Sequence, residues 1–262
     1  MQCFFPRSVK SDIMPDQYQT AAAVALSLPS VRCLIPNRLA FASGSAHEIQ
    51  QLKQSHMGDD VIFISSQLHR QYVPYALDFG PVNLGIVHQF CVAFEKRLVS
   101  ASSSMIIYCF ETSVACRANA CFLLAAFMML SQGWTLDQAS SAFGCSSLPF
   151  LLKPFRDATF TAADFGLSLH DCLAGLARAS ELGWYRQSSF DLAFYEALDD
   201  PLSGDIHEVC AKFVAFKGPL AIGSAYLQKG EVAFPPSKYV PILQQLGVTC
   251  VVRLNEDDTY DR

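Results

Sequence analysis

Two short apolar runs rich in β-branched residues constrain the fold of this chain more than any other feature of its sequence. They lie at residues 61–64 (Val-Ile-Phe-Ile) and 105–108 (Met-Ile-Ile-Tyr), and each has the length of a buried strand. Apolar residues recur at helical spacing after each run, which predicts helices at residues 81–98 and 115–131. The first helix is expected to begin at Pro81, because proline lacks the N–H that would have no partner there. Strands that alternate with helices predict an α/β layer fold.

The alternation continues towards the C-terminal part of the sequence. Thr135 and Gln138 have the capping-box spacing that starts a helix. Apolar spacing predicts a further helix between residues 165 and 182 and a short acidic helix at 191–198. The last predicted elements are a strand, a helix and a strand, at residues 213–216, 236–246 and 248–254. Two or three strands in about 50 residues are too few for an independent core.

Composition and charge exclude several classes of protein. The chain is 51% apolar and 12% aromatic, which excludes a disordered protein. Its net charge of −5, with no cluster of Lys or Arg, argues against a nucleic-acid partner. The longest apolar run, residues 118–130, contains Asn119 and is shorter than the ~20 residues that cross a bilayer. We therefore expect a buried helix there and no membrane partner.

The ten cysteines include no C-x-x-C pair, and most of them lie within apolar runs. This usage is typical of reduced core thiols and predicts a cytoplasmic or nuclear protein. Residues 1–30 are expected to form a flexible tail rather than a signal peptide, because no basic segment precedes their apolar stretch. The sequence has no H-E-x-x-H, Walker or G-x-G-x-x-G motif, so we expect no metal and no other cofactor. The six histidines are scattered, and packing is the expected role of each.

Two C-x-x-x-x-x-R matches test whether the chain holds the phosphate-binding loop of a cysteine phosphatase. The match that begins at Cys91 lies inside a predicted helix and contains no glycine, so it is interpreted as a chance match. The match that begins at Cys172 contains Gly175, but no apolar strand precedes it. Asp171 beside that cysteine raises the pKa of its thiol rather than lowering it. Cys172 is predicted to lie on a helix face instead.

Cys109 has the better topology, because it ends a predicted strand and is followed by a loop and an apolar helix. The spacing differs from that of a phosphate loop, since Arg117 is eight residues away and no glycine intervenes. Phe110 and Glu111 occupy the first two positions of the expected phosphate-binding loop, and the carboxylate of Glu111 repels phosphate. The pattern indicates a phosphatase-like loop that does not bind phosphate.

Six segments together resemble the N-terminal half of the cell-division-cycle-fourteen type of dual-specificity phosphatases. The resemblance extends across residues 31–255, and the segments occur in the family's order and at nearly the family's spacing. The six segments are FGPVNLG at 79–85, RANACFLL at 117–124, PFRDATF at 154–160, DCLAG at 171–175, KFVAFKGP at 212–219 and VTCVVRLN at 248–255. The resemblance implies a dual-specificity-phosphatase-like sheet flanked by helices, followed by an incomplete second phosphatase-like unit. Fold class is therefore expected to be α/β.

The resemblance also implies a domain organisation. The family carries two phosphatase-like domains, of which the first is degenerate and the second holds the H-C-x-x-x-x-x-R loop and a general acid. The implied divisions are a tail at 1–30, a degenerate domain at 31–188, an acidic connecting helix at 189–206 and the start of the catalytic domain at 207–262. No residue of this sequence inherits a catalytic role, because neither the loop nor the general acid is present in it.

One binding feature transfers with the resemblance. In the family, acidic residues on the connecting helix line a groove that selects a basic residue of the substrate, and the matching positions here are Glu196, Asp199 and Asp205. Glu196 and Asp199 lie one helical turn apart, so their fields add towards a cation. The residues by themselves are more typical of a solvated acidic helix, and the resemblance reverses this preference in favour of a binding role.

Three functions stay open at this point. The first is a non-catalytic docking and scaffolding half of such a phosphatase, which binds phosphoproteins or Ser-Pro-Lys/Arg peptides. The second is a fragment of an active phosphatase that hydrolyses phosphoserine-proline sites, with its catalytic half further along or in a separate partner. The third is a pseudophosphatase interaction module that associates with itself.

Overall fold

A computed structural model describes residues 31–56, 60–66, 72–144, 148, 151–200, 202–221, 234–254 and 260. The predicted tail at 1–30 lies outside these residues. The chain divides into two compact units, one that ends at Ala174 and one that begins at Gly175. The domain boundaries predicted from the sequence, at 188 and 206, stay a prediction. No helix in the described part of the chain is both long and apolar enough to cross a membrane.

A four-stranded sheet is the centre of the first unit, and it confirms the predicted α/β class. Its strands are β1 (Val31–Ile35), β2 (Leu39–Ser43), β3 (Val61–Ser65) and β4 (Met105–Phe110), in the spatial order β1-β2-β4-β3. β4 runs parallel to both of its neighbours, and β1 pairs antiparallel with β2. The β1–β2 hairpin was not predicted. Its turn contains Asn37 in the left-handed region, at φ 56°, a conformation that asparagine tolerates.

Helices connect these strands, and side chains cap most of them. They are α1 (Ala46–Ser55), α2 (Leu84–Ser100), α3 (Val114–Leu130) and α4 (Leu136–Phe143). The capping box at Thr135 is confirmed at the start of α4. The prediction that α2 begins at Pro81 is wrong. Asn83 is the N-cap, because its side chain accepts the N–H of Ile86, and Pro81 lies in the preceding loop after a cis peptide bond.

α3 is the most buried helix of this unit, as its apolar sequence predicts. Its residues 120–128 are all buried and pack beside β4, whose six residues are also buried. Asn119 is the polar exception within this apolar run. Its amide donates to the carbonyl of Phe79 (2.6 Å) and accepts the N–H of Val82 (3.0 Å), which ties the loop before α2 to α3. A side chain on Gly80 in that loop is excluded, because a Cβ there would lie 2.6 Å from Asn119 and from Phe155.

The next elements are a small ladder and α5, which contains the division between the units. β5 (Phe155–Arg156) pairs antiparallel with β6 (Gly166–Leu167), and α5 spans Leu169–Glu181. α5 starts later than residue 165, the first apolar position in its predicted pattern. Ser168 and Asp171 exchange side-chain to backbone hydrogen bonds of 3.1 and 2.9 Å, which fixes the first turn of the helix at that point.

The second unit contains α6 (Leu192–Leu198), β7 (Ile206–Cys210), β8 (Phe213–Phe216) and α7 (Pro236–Gln245). The acidic helix, the strand at 213–216 and the last helix are confirmed. β8 pairs antiparallel with β7, a strand that was not predicted. A small core forms where Ile206 of β7 packs with Tyr239 and Leu243 of α7.

The predicted strand at 248–254 is wrong. Gly247 ends α7 in the left-handed conformation, at φ 71°, and the N–H of Val248 bonds back to the carbonyl of Leu243 at 2.9 Å. The chain then continues without a ladder partner among the described residues, and a strand exists only where a neighbour pairs with it. Its side chains are mostly exposed, with Leu254 at 93%.

Candidate functional site

The loop that resembles a phosphatase loop follows β4, but its cysteine lies within the strand. Cys109 pairs with Ala42 of β2 and Ser65 of β3, so the ladder holds it on both sides. Its side chain is buried, and the thiol donates to the carbonyl of Ile107 at 3.8 Å. Burial raises the pKa of this thiol to about 11, although Lys53 acts in the opposite direction. The thiol is therefore protonated at neutral pH, whereas a nucleophile has to be a thiolate.

The turn from β4 into α3 differs from a phosphate cradle in its hydrogen bonding. A cradle offers backbone N–H groups at a helix N-terminus to the phosphate oxygens. Here the hydroxyl of Ser113 accepts the N–H of Cys116 at 3.2 Å and so occupies part of that terminus. Arg117 lies in the first turn of α3, and its Nε donates to the hydroxyl of Ser43 at 3.3 Å. The arginine thus connects α3 to the end of β2. Half-buried Glu111 adds negative charge to the turn, which disfavours the binding of phosphate there.

The other cysteines of the phosphatase-like matches lie on helices, as predicted. Cys91 is buried in α2, where burial and then Glu95 raise the pKa of its thiol to about 12. Cys172 lies on α5, where burial and then Asp171 raise the pKa of its thiol to about 11. All eight cysteines in the described part of the chain are free thiols. Neither match is a phosphate-binding loop.

The predicted acidic residues lie in the second unit, and the structure brings two of the three together. Asp199 caps the C-terminus of α6, and Asp205 immediately precedes β7. A carboxylate oxygen of each lies close to Nε2 of His207 on β7, at 3.4 Å from Asp199 and 3.1 Å from Asp205. We call these three residues the Asp–His cluster. Glu196 lies one turn earlier on α6 and is half-buried.

The turn between α6 and β7 holds Asp205 in place. The backbone N–H of Asp205 donates to the carbonyl of Asp200 at 3.2 Å, and its own carbonyl accepts the N–H of Lys217 at 3.1 Å. Asp205 has a φ of 51°, in the left-handed region, where Asp is among the residues that fit best. Gly204 before it has a φ of 118°, and a Cβ there would lie 3.0 Å from Tyr239. The backbone therefore fixes the Asp205 carboxylate beside β7.

His207 is the residue of this cluster that sequence reasoning missed. The sequence feature that could have indicated it is the Asp-x-His spacing of Asp205 and His207, because residues two apart along an extended chain point to the same side. The pKa of His207 is raised above its usual value. The hydrogen bond to Asp205 is the largest cause, burial acts in the opposite direction, and the negative charge of Asp199 adds to the increase. Its ring also lies 5.8 Å from that of Tyr195 on α6. Protonation of His207 therefore neutralises part of the charge of the two carboxylates.

The Asp–His cluster is also the one group in the described part of the chain that could hold a metal ion. One ligand atom from each residue lies within 4.8 Å of the others. Beside the cluster, a groove of about 630 Å³ lies between α6 and β7. It is lined by aromatic residues such as Trp184 and Phe213 and by polar residues such as Asp191 and Lys212. Tyr195 belongs both to this groove and to the surroundings of His207.

Comparison with known proteins assigns the first unit. The family described as dual specificity protein phosphatase, N-terminal half, matches residues 33–179. This chain belongs to that family. It is 34% identical over 190 residues to dual specificity protein phosphatase CDC14A of Homo sapiens, across 71% of the chain and 31% of that protein. It is 32% identical over 208 residues to tyrosine-protein phosphatase CDC14 of Saccharomyces cerevisiae. That match covers 75% of this chain and 36% of the yeast protein.

The match to dual-specificity phosphatases confirms the resemblance inferred from the six sequence segments. The chain spans about a third of the length of these curated relatives. The family match covers the sheet, the turn after β4 and most of α5, and it ends at residue 179. The Asp–His cluster lies after residue 179, where this family match ends.

Proposed function

We propose that this chain is the substrate-docking and scaffolding half of a cell-cycle type dual-specificity protein phosphatase, and that it does not itself hydrolyse phosphate esters. The observation that carries the proposal is Cys109, a protonated and buried thiol within β4 of a phosphatase-like domain. The turn after it carries Glu111 and a Ser113 hydroxyl where phosphate needs free N–H donors. A separate phosphatase domain, in the same protein or in a partner, supplies the chemistry.

The proposal predicts that the purified chain does not hydrolyse a simple aryl phosphate. A measurement of product release at neutral pH, with an active cysteine phosphatase as the positive control, tests this directly. The matched variants are Cys109→Ser and Cys172→Ser, and both should be as inactive as the parent chain. Turnover that either serine variant abolishes would contradict the proposal, because it would show that the thiol acts as a nucleophile.

The substrates proposed for this docking half are phosphoproteins in which Lys or Arg follows a Ser-Pro site. Support comes from Glu196, Asp199 and Asp205, whose negative charge lies on α6 and the turn after it. Each exposed ion pair contributes only about 0–1 kcal/mol, so three carboxylates around one cation contribute roughly 2 kcal/mol. Without a phosphate cradle, the dissociation constant of a Ser-Pro-Lys peptide is expected on the order of 0.1–1 mM.

Peptide titrations test this recognition. A Ser-Pro-Lys peptide should bind more tightly than a Ser-Pro-Ala peptide, and the difference should shrink from 0.1 M to 1 M salt because the Debye length falls from ~10 Å to ~3 Å. Replacing the three acids together (Glu196→Gln, Asp199→Asn, Asp205→Asn) should abolish the preference. Glu111→Gln is the control and should retain it. If the triple variant still prefers the Lys peptide, the acidic residues are an ordinary solvated surface.

A further inference from the structure

The three ligand atoms of the Asp–His cluster converge from the end of α6, the turn before β7 and β7 itself. We propose that Asp199, Asp205 and His207 form a binding site for a zinc ion, with water as the fourth ligand. Because the three residues lie on separate elements, they form no contiguous motif of the kind that predicts a metal from the sequence. The zinc site is independent of the proposed docking function, and only its effect on peptide binding rests on that function.

The separations within the cluster are close to those between neighbouring ligands of a zinc ion. Zinc bonds to imidazole nitrogen and carboxylate oxygen at about 2.0–2.2 Å, so two ligands at the tetrahedral angle lie roughly 3.3–3.6 Å apart. Nε2 of His207 lies 3.4 Å from a carboxylate oxygen of Asp199 and 3.1 Å from one of Asp205. All three atoms lie within 4.8 Å of one another. Small movements of the side chains therefore allow one ion to bond to all three.

The donor set favours zinc over the harder divalent cations. Ca²⁺ and Mg²⁺ take shells that consist of oxygen ligands, whereas imidazole nitrogen together with carboxylate oxygen suits zinc. Zinc bonds to the lone pair of Nε2, so a hydrogen on this nitrogen moves to Nδ1 of the neutral ring. The contact between His207 and Asp205 is thereby replaced by two bonds to the metal.

A buried hydroxyl beside the cluster is an independent observation that points to a ligand. Tyr239 of α7 is 2% exposed, and its hydroxyl has no hydrogen-bond partner among the described residues. Its ring lies against the turn, because a Cβ at Gly204 would be 3.0 Å from it, and burial and then the charge of Asp205 raise its pKa. Buried polar groups without a protein partner often accompany an ordered water or ion. Water in the shell of the zinc ion supplies such a partner.

The cluster is accessible from solvent. The side chains of Asp199 and Asp205 are 23% and 41% exposed, and that of His207 is 34% exposed. Partial exposure gives an ion an entry path and leaves room for water as the fourth ligand. The same opening admits a basic side chain, so zinc and a substrate Lys or Arg compete for the two carboxylates.

Zinc titrations of the full 262-residue chain test the site. The chain is stripped of metal with EDTA and kept reduced by a phosphine, and a chromophoric chelator that competes for zinc reports the affinity. His207→Gln and Asp205→Asn each remove one ligand and should weaken binding about 100-fold or more, since even a lost partner of a ligand costs about 10–100-fold. His47→Gln and Cys250→Ser, at exposed positions outside the cluster, are the controls and should bind zinc as the parent chain does.

Spectroscopy identifies the ligands. Co²⁺ in place of zinc should give d–d bands without a thiolate charge-transfer band, and His207→Gln should lose them. A second measurement does not depend on the folding of a variant: zinc should shift the ¹⁵N resonance of Nε2 in His207 of the parent chain and leave that of His47 in place. An unchanged His207 resonance at saturating zinc overturns the proposal. Equal zinc affinity in the parent chain and both ligand variants, or a thiolate band that is lost in Cys250→Ser, also overturns it.

Peptide titrations separate the zinc site from the docking function. If both hold, saturating zinc should lower the ratio of the affinities for Ser-Pro-Lys and Ser-Pro-Ala to nearly one, and EDTA should restore it. A ratio of one both with and without zinc overturns the docking function and leaves the zinc site, which is measured without peptide, standing. A preference for Lys that saturating zinc leaves unchanged overturns the competition for Asp199 and Asp205.

Discussion

At the residue scale, Asn119 holds a loop against α3, the most apolar helix in the described part of the chain. Its amide satisfies the carbonyl of Phe79 and the N–H of Val82, both in partly buried positions. Asn119→Leu leaves these two backbone groups without a partner, and we expect it to lower the free energy of unfolding by about 2 kcal/mol. Chemical denaturation measures the change. Gln51→Leu, on an exposed position of α1, is the control and should stay within about 0.5 kcal/mol of the parent chain.

The sequence predicted some individual residues well and missed others for a physical reason. Helical placement of Cys172 followed from local spacing. The neighbours of Cys109 in the chain predicted that it is not a nucleophile, and this stays a prediction, which the raised pKa of its buried thiol supports. His207 was not predicted, because its role depends on Asp199 and Asp205 converging across a turn. The structure brings those two carboxylates together, whereas the binding role of all three acids stays a prediction.

At the scale of secondary-structure elements, one arginine connects the sheet to the end of α2. The guanidinium of Arg38, just before β2, donates to the carbonyl of Ala101 at 2.7 Å and also to those of Leu98 and Ser102. Carbonyls at a helix C-terminus have no partners within the helix, and a cation there also interacts favourably with the helix dipole. The arginine therefore stabilises the end of α2 against the sheet.

Arg38→Met should lower the free energy of unfolding by about 2 kcal/mol, because charged hydrogen bonds to these carbonyls are lost. Thermal and chemical unfolding, followed by circular dichroism, measure the loss. Arg32→Met, at an exposed position of β1, removes the same charge where the described residues show no such capping contacts, and its effect should be small. Equal destabilisation by the two variants would mean that charge alone, rather than the capping contacts, accounts for the effect of Arg38.

Elements set by local chemistry were predictable, and those set by distant partners were not. The helix at Thr135 and the strand at 61–64 were correct because capping and β-branched runs act within a few residues. β7 was missed, and the strand at 248–254 was wrongly expected, because a strand depends on whether another segment pairs with it. An apolar run such as 248–254 carries no information about whether that partner is present.

At the scale of the whole molecule, the exposed apolar segment 248–254 predicts self-association. Val252 and Leu254 are 74% and 93% exposed, and exposed apolar surface favours contact with another protein. We expect the chain to form dimers or larger species at high concentration, and Val252→Lys with Leu254→Lys to shift it towards monomer. Sedimentation velocity over a concentration series measures both. Val99→Lys, on an exposed position of α2, is the control; a parent chain that stays monomeric throughout would contradict the prediction.

The protonated thiol inside β4 has a consequence for oxidative stress. A thiolate that attacks phosphate is also the form that hydrogen peroxide attacks, so catalytic cysteine phosphatases lose activity when they are oxidised. Cys109 is covered by its strand neighbours and holds its proton at neutral pH. Cys109 is therefore expected to stay reduced under conditions that oxidise the thiolate of a catalytic cysteine phosphatase.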